Sequence, residues 1–233
     1  PEGLPDFSDG FDVYAGWEIT RKGDNSLTPE QNRLLAYGAP LFLYNDDNVD
    51  SLESTAGTDT LKEMLEEWWE VTDRKSALET ISWLLNEGQH AGADPALTEI
   101  RQRGIEAITE EEKADEDSKI GDAFTIAEFV MGVNETTEAD LPETVLAWDL
   151  VRAVNMARWA FICGYINEDE MWEAIRTTAG IAKESFNSWE EYGNSFAVGR
   201  GIWRGETDDY ETADEVVGAL LNKEDSPWKA IEW

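Results

Sequence analysis

Hydrophobic residues recur every three or four positions along most of the chain, which is the spacing typical of amphipathic α-helices. The clearest stripes are Leu61, Leu65 and Trp68; Leu78, Ile81 and Leu85; Ile120, Phe124, Ala127 and Met131; and Trp189, Tyr192, Phe196, Gly199 and Trp203. Alternating patterns typical of strands are scarce. The periodicity therefore predicts an all-α fold, a single globular bundle of about eight or nine helices.

Candidate helix starts are marked by a capping side chain followed three residues later by an acid or amide. These pairs are Thr28 with Gln31, Thr109 with Glu112, Asn167 with Glu170, Ser188 with Glu191, and Thr212 with Glu215. Thr58 and Asp73 are further candidate caps. Because no segment repeats at a fixed period, we expect a bundle and not a helical solenoid.

A chain of 233 residues is long enough to bury one substantial core without disulfides or metals. Periodicity is weakest near the N-terminus and in the link after Tyr44. We therefore expect an N-terminal segment, residues 1–57, that packs on the body of a helical domain, residues 58–233. The oligomeric state is left open.

The composition adds a strongly acidic charge. The chain has 18 Lys and Arg against 51 Asp and Glu, which gives a net charge of −33. This field repels nucleic acid and anionic membranes, so we expect neither as a partner, whereas it attracts a basic protein. The alternative is that the acidity serves solubility in a generally acidic source proteome. A hydrophobic content of 41% with 11 Trp excludes a disordered chain.

The single cysteine, Cys163, excludes an intramolecular disulfide, and its apolar neighbours predict a buried thiol. No apolar run approaches the roughly 18 residues of a membrane span. The first segment, PEGLPDFSDG, also lacks the basic and apolar regions of a signal peptide. We expect a cytoplasmic protein, with a removed leader as the alternative because the chain does not begin with Met.

Metal ligands are few. Glu87 and His90 have the spacing of a di-iron ligand pair, but such centres need two pairs and the chain has one His. Gly88 lies where a helix would end, so we expect His90 in a loop. No metal and no cofactor are therefore expected, although a site made only of carboxylates stays open.

Catalytic patterns are also missing. A Ser or Cys nucleophile needs a nearby base, usually His, and no serine lies in a glycine-rich elbow. The segment GRGIWRG, Gly199–Gly205, does not follow a predicted strand, so its glycines indicate close helix packing and not a phosphate loop. No catalytic residue is assigned, and enzymatic activity is uncertain, with a non-enzymatic role favoured.

Polar side chains interrupt one of the most apolar runs, DLVRAVNMARWAFICGYINEDEMW. They step by three residues along the edge of a predicted helix face, and a further arginine lies in a later helix. Together they could hold an anion, with the aspartate as base or orienter. The favoured alternative is ion pairing that fastens neighbouring helices, with the later arginine on helix-end carbonyls and no open pocket. The candidate cluster is Asp149, Arg152, Asn155, Arg158 and Arg200.

Four segments together resemble a known family. They are MLEEWWEVTDRKSALETISWLLNEG, WDLVRAVNMARWAFICGYINEDEMWEAI, FNSWEEYGNSFAVGRGIWRG and SPWKAIEW. From Leu61 to Trp233 the chain resembles the bacterial family catalogued as DUF 1266, a domain of unknown function. The resemblance implies a soluble α-helical protein without an established reaction. The matching positions are Asp149, Arg152, Arg158, Trp172, Trp189, Arg200 and Trp203, and we interpret the three tryptophans as structural aromatics.

Two functions follow from these observations. The favoured one is a protein-interaction domain, immunity-like or antitoxin-like, that binds a basic partner through electrostatic complementarity. The alternative is an enzyme or small-anion-binding protein with its site near Asp149, Arg152, Arg158 and Arg200. A pocket beside these residues would favour the second function over the first.

Overall fold

The computed structural model describes residues 14–233, and every regular element in this range is helical. The helices are α1 (Pro29–Leu35), α2 (Ala39–Tyr44), α3 (Thr58–Trp69), α4 (Arg74–Asn86), α5 (His90–Arg103), α6 (Glu110–Lys113), α7 (Ile120–Asn134), α8 (Leu146–Ile162), α9 (Glu168–Ser185), α10 (Trp189–Arg204), α11 (Thr207–Asn222) and α12 (Pro227–Ala230). Nine of these described helices contain seven or more residues, which confirms the predicted all-α bundle. In the same range, no helix is both long and apolar enough to cross a bilayer.

Most of the predicted caps begin helices. The side chains of Thr28, Thr109 and Asn167 form reciprocal capping boxes at α1, α6 and α9. Those of Asp73 and Ser188 accept a backbone N–H at the starts of α4 and α10. These local interactions satisfy backbone donors that have no partner inside the helix.

Two predicted caps are wrong. Thr212 lies inside α11, where its hydroxyl donates to the carbonyl of Asp208. The helix begins five residues earlier, at Thr207, because Tyr210 already faces the core. Thr58 is the first residue of α3, and Gly57 occupies the cap position. A capping pattern therefore marks a helix start only where the preceding residues are not already helical.

Helix α8 is the centre of the fold. Fourteen of its residues, Ala147–Ala160, are buried, and α4, α9 and α10 pack around it. The polar row predicted at the edge of an apolar face is therefore enclosed on every side. Because charged side chains are almost never fully buried unless they are paired, each polar residue of α8 needs a partner inside the protein.

Two of the predicted apolar stripes end outside the core. Leu61 and Leu65 of α3 are buried, but Trp68 is 76% exposed. Along α10, the stripe is buried until Trp203, which is 38% exposed. In α4 the buried positions are Ala77, Ile81 and Leu84, so Leu78 and Leu85 lie at the border of the apolar face.

An aromatic cluster joins the two ends of the described chain. The rings of Tyr37, Trp189, Tyr192, Trp228 and Trp233 contact one another with centroid separations of 4.7 to 6.2 Å. The indole N–H of Trp228 donates to a backbone carbonyl of the N-terminal segment, at Ala36. Residues 14–57 thus contact the body directly. The boundary at residue 57 stays a prediction, and residues 1–13 lie outside the described range.

The glycines of GRGIWRG allow close helix packing, as predicted. A Cβ on Gly199 would lie 2.7 Å from the Cβ of Trp148 on α8. A Cβ on Gly201 would lie 2.9 Å from the Cβ of Tyr210 on α11. Helix α10 can therefore approach both neighbours only because these positions carry no side chain.

We expect Gly199→Ala to lower the free energy of unfolding by about 2 kcal/mol. The added methyl meets a rigid Cβ, an overpacking cost of about 3 kcal/mol, of which better helix propensity offsets about 1 kcal/mol. Gly180→Ala in α9 is the matched control, since nothing lies within 4 Å of its Cβ position. This control should gain about 0.5–1 kcal/mol in urea denaturation. Similar gains in both variants would contradict the packing argument.

Candidate functional site

The predicted cluster is divided among different partners. Arg158 is fully buried, and its guanidinium donates to the carboxylate of Asp47 at 3.2 Å and to the carbonyl oxygens of Leu52 and Glu53 at 3.4 and 2.7 Å. Burial lowers the pKa of Arg158, and Asp47 opposes this change. Arg158 therefore fastens the 45–57 link, the segment between α2 and α3, to the centre of the fold.

Asn155 also fastens helices. Its side-chain amide donates to the carbonyls of Gly38 and Val151 at 3.1 and 2.9 Å. Its Oδ1 is buried and has no hydrogen-bond partner among the described residues. Neither Asn155 nor Arg158 stands beside Arg200, so the structure does not bring the five predicted residues together.

Asp149 is a buried junction between α8 and the start of α5. Its carboxylate accepts hydrogen bonds from the backbone N–H groups of Gln89 and His90 at 3.0 and 2.8 Å. It also forms an ion pair with Arg152 and lies 2.7 Å from Nδ1 of His90. The expected pairing of Asp149 with a nearby arginine thus holds for Arg152, whereas Arg158 pairs with Asp47.

The predicted position of His90 is wrong. His90 is the first residue of α5 and not part of a loop, because Asp149 accepts the N–H groups that open this helix. Gly88 lies just after the end of α4, as predicted, and has a positive φ of 53°. A Cβ at Gly88 would lie 2.3 Å from Oδ2 of Asp149, so the close approach of the carboxylate also requires glycine.

We expect the free energy of unfolding to fall as the pH rises through the folded-state pKa of His90. The hydrogen bond to Asp149 raises the pKa of His90, with burial and Arg152 opposing and Asp94 assisting. A raised pKa means that the folded state favours the protonated ring. This contribution is complete below the unfolded value, about 6.5, and is lost as the pH rises through the folded-state pKa.

The measurement is urea denaturation of the wild type and His90→Gln between about pH 5.5 and 9. The variant serves as the control because it retains every carboxylate. The stability difference between the two proteins should shrink with rising pH. A difference independent of pH would contradict the coupling between His90 and Asp149.

Arg200 does not satisfy helix-end carbonyls, contrary to expectation. Its Nη2 lies 2.9 Å from the carboxylate of Asp209 and donates to the hydroxyl of Tyr44 at 3.0 Å. Arg204 approaches the other oxygen of Asp209 at 3.5 Å. Asp209 is within reach because α10 and α11 lie side by side, and Tyr44 is the last residue of α2; helix periodicity cannot predict either placement.

Trp148 joins Arg152 and Arg200. Their guanidinium carbons lie 4.5 and 5.8 Å from the centroid of the Trp148 ring, within the range of cation–π interaction. The ring of Trp203 lies 5.4 Å away. The indole N–H of Trp148 is buried and has no hydrogen-bond partner among the described residues. Two members of the predicted cluster therefore meet around a tryptophan.

The expectation of no open pocket is also wrong. A cleft of about 1450 Å³ opens above Trp148, between α3, α4, α8, α10 and the 45–57 link. Arg152, Arg200 and Arg204 line it, together with Tyr44. Its tryptophans are Trp68, Trp69, Trp83, Trp148, Trp159 and Trp203. The signal in the sequence is the high tryptophan content, since six of the 11 tryptophans line this cleft.

The three predicted structural aromatics have different places. Trp172 is buried and its indole N–H donates to Glu168 at 3.1 Å. Trp189 is buried in the aromatic cluster, and Trp203 lines the cleft. Among residues 14–233, no group of three or more His, Cys, Asp or Glu side chains is placed to hold a metal ion. Cys163 is a buried free thiol, as predicted.

Comparison with known proteins identifies one family. Its model, described as a protein of unknown function (DUF1266), matches residues 64–233. This match includes α8, α10 and all six cleft tryptophans. No curated protein and no solved structure matches the chain.

Proposed function

The chain belongs to the DUF1266 family of proteins of unknown function, and from this premise we propose that it is a binding protein whose cleft takes a small organic ligand with a flat apolar ring. One observation carries the proposal. Among the described residues, four large apolar side chains are exposed, and three of them, Tyr44, Trp68 and Trp203, line the same cleft. Large apolar surfaces left in water are unfavourable, and their concentration in one concave site is typical of ligand binding.

The exposed aromatic side chains of the cleft support a planar ligand. Small-molecule sites usually enclose about 300–1000 Å³, and this cleft is somewhat larger and open at its rim. Trp68 takes part in none of the ring contacts found among the described residues, so its faces are available for stacking. Offset or edge-to-face contacts between aromatic rings contribute about 0.5–1.5 kcal/mol beyond the burial of their area.

The test uses N-phenyl-1-naphthylamine, a neutral dye whose fluorescence rises in apolar sites. We expect saturable binding that weakens about 3-fold to 10-fold in Trp68→Ala and in Trp203→Ala, the loss of one aromatic contact each. Val133→Ala is the control, since Val133 is the remaining exposed apolar residue and lies outside the cleft. Absence of saturable binding, or equal weakening in the control, would overturn the proposal.

We propose as a second function that the acidic surface binds a basic protein, as an immunity or antitoxin protein would. The observation that favours it is that Trp68 is exposed on α3, in a stretch of sequence that also exposes Glu63, Glu66, Glu67 and Glu70. A partner arginine or lysine could stack on the indole while the carboxylates neutralise its charge. The same net charge disfavours nucleic acid and anionic membranes as partners.

Isothermal titration against a basic product of an adjacent gene tests this second function. Binding should weaken as salt rises and should weaken further in Glu67→Lys, with Glu190→Lys on α10 as the exposed acidic control. Salt-independent binding, or no binding, would contradict it. We also propose a cytoplasmic location, where the single thiol stays reduced, and cell fractionation checks this.

A further inference from the structure

The two arginines beside Trp148 each retain a donor nitrogen. In Arg200, Nε and Nη2 contact Asp209 and Tyr44. In Arg152, Nε donates to the carbonyl of Trp148 and Nη2 contacts Asp149. Nη1 of each has no hydrogen-bond partner among the described residues, in contrast to Arg158, all three of whose nitrogens donate. Both of these arginines line the cleft, so their spare donors lie at its wall.

Three arginines line the cleft, and their carboxylate partners are Asp149 and Asp209. Arg200 and Arg204 share one carboxylate, that of Asp209. Two of the other lining carboxylates are paired elsewhere, Asp47 with Arg158 and Glu79 with Lys75. Glu67 of α3 and Glu70, which follows this helix, also line the cleft and are exposed to solvent. Because the Debye length is about 8 Å at physiological ionic strength, the distant acids of the chain are largely screened here.

The spare donor nitrogens of Arg152 and Arg200 lie next to the tryptophan rings of the cleft. Both guanidinium carbons lie within 6 Å of the Trp148 centroid, so a group bound by either arginine is held next to the rings. Guanidinium groups bind oxyanions through charge-assisted hydrogen bonds. We infer that the natural ligand is a flat-ring oxyanion, whose carboxylate, sulfonate or phosphate group binds Arg152 and Arg200 while its ring stacks on the cleft tryptophans. This inference rests on the proposed function and names its ligand class.

The test compares two dyes with the same ring system. The dye 8-anilinonaphthalene-1-sulfonate carries an anionic group that N-phenyl-1-naphthylamine lacks. Arg200→Gln should weaken the sulfonate dye about 10-fold or more, the loss of a charge-assisted hydrogen bond, and should change the neutral dye less than about 2-fold. Arg200→Lys keeps the charge and should give an intermediate loss. Arg176→Gln, an exposed arginine of α9, is the control and should change neither dye.

The outcomes separate the inference from the proposed function. If neither dye binds saturably, the ring-binding function is wrong and the inference fails with it. If the neutral dye binds but Arg200→Gln leaves the affinity ratio of the two dyes unchanged, only the oxyanion inference is overturned. Thermal unfolding confirms that each variant is folded, so loss of structure is not mistaken for loss of a contact. Displacement of the sulfonate dye by benzoate or by phenyl phosphate then distinguishes a carboxylate ligand from a phosphate ligand.

Discussion

Replacement of Arg158 by methionine is expected to lower the free energy of unfolding by about 3–5 kcal/mol. Methionine retains much of the volume, so the loss is mainly electrostatic. The substitution leaves the buried carboxylate of Asp47 without its counter-ion. It also removes the N–H groups that donate to the carbonyl oxygens of Leu52 and Glu53. A buried polar group without a partner carries its full desolvation cost. Urea denaturation monitored by circular dichroism measures the change.

The matched control is Arg74→Met, which removes an ion pair between two helices at the surface. Arg74 pairs with Glu170 at 2.5 Å, but its side chain is 63% exposed, so the loss should stay below about 1 kcal/mol. The double variant Asp47→Asn with Arg158→Met should lose less stability than the sum of the losses in the two single variants. The reason is that removal of both charges leaves neither one buried without its counter-ion. Equal losses in Arg158→Met and Arg74→Met would contradict a structural role for the buried pair.

Asp149→Ala is the second substitution with a large expected effect, also about 3–5 kcal/mol. It leaves the guanidinium of Arg152 buried without its carboxylate. It also removes the acceptor of the backbone N–H groups of Gln89 and His90, which begin α5. Loss of helix α5 packing and loss of the ion pair therefore add to one another. Hydrogen exchange should show earlier opening at the start of α5 than elsewhere.

One further variant shows whether the charge or the hydrogen bonds of Asp149 dominate, and a second serves as the surface control. Asp149→Asn retains one acceptor oxygen and should lose less than Asp149→Ala, although Arg152 remains without its counter-ion. Asp169→Ala is the surface control, an exposed acid in the first turn of α9 whose loss should cost less than about 1 kcal/mol. If Asp149→Ala and Asp169→Ala destabilise equally, Asp149 is not a junction of the fold.

Much of the fold could be predicted because its signals are local. The caps at Thr28 and Asn167 depend on contacts three residues apart, and so does the ion pair of Asp149 with Arg152. Thr212 shows the limit, since its pattern occurs inside a helix that had already begun. The spacing of hydrophobic residues therefore predicts the all-α class, whereas the first and last residues of each helix depend on packing.

The site was harder to predict from the sequence than the helices, because its contacts join residues that are distant in sequence. Arg158 and Asp47 are separated by 111 positions, and no periodicity indicates that they pair. Trp68 and Trp203 occupy stripe positions, but a stripe shows which face of a helix is apolar and not where the core ends. The cleft arises where two helices extend beyond the core. Only the three-dimensional arrangement reveals that space.

The aromatic cluster at the ends of the described chain has a consequence for synthesis. Ala36 and Trp228 form a hydrogen bond although 192 positions separate them. At about 5–20 residues per second, a ribosome takes roughly 10–40 s to make the intervening chain. During that interval α1 and α2 lack their last covering residues, and the nascent chain carries uncovered apolar surface. Repulsion between the acidic nascent chains on one messenger RNA then opposes contact between them until each chain has completed its aromatic cluster.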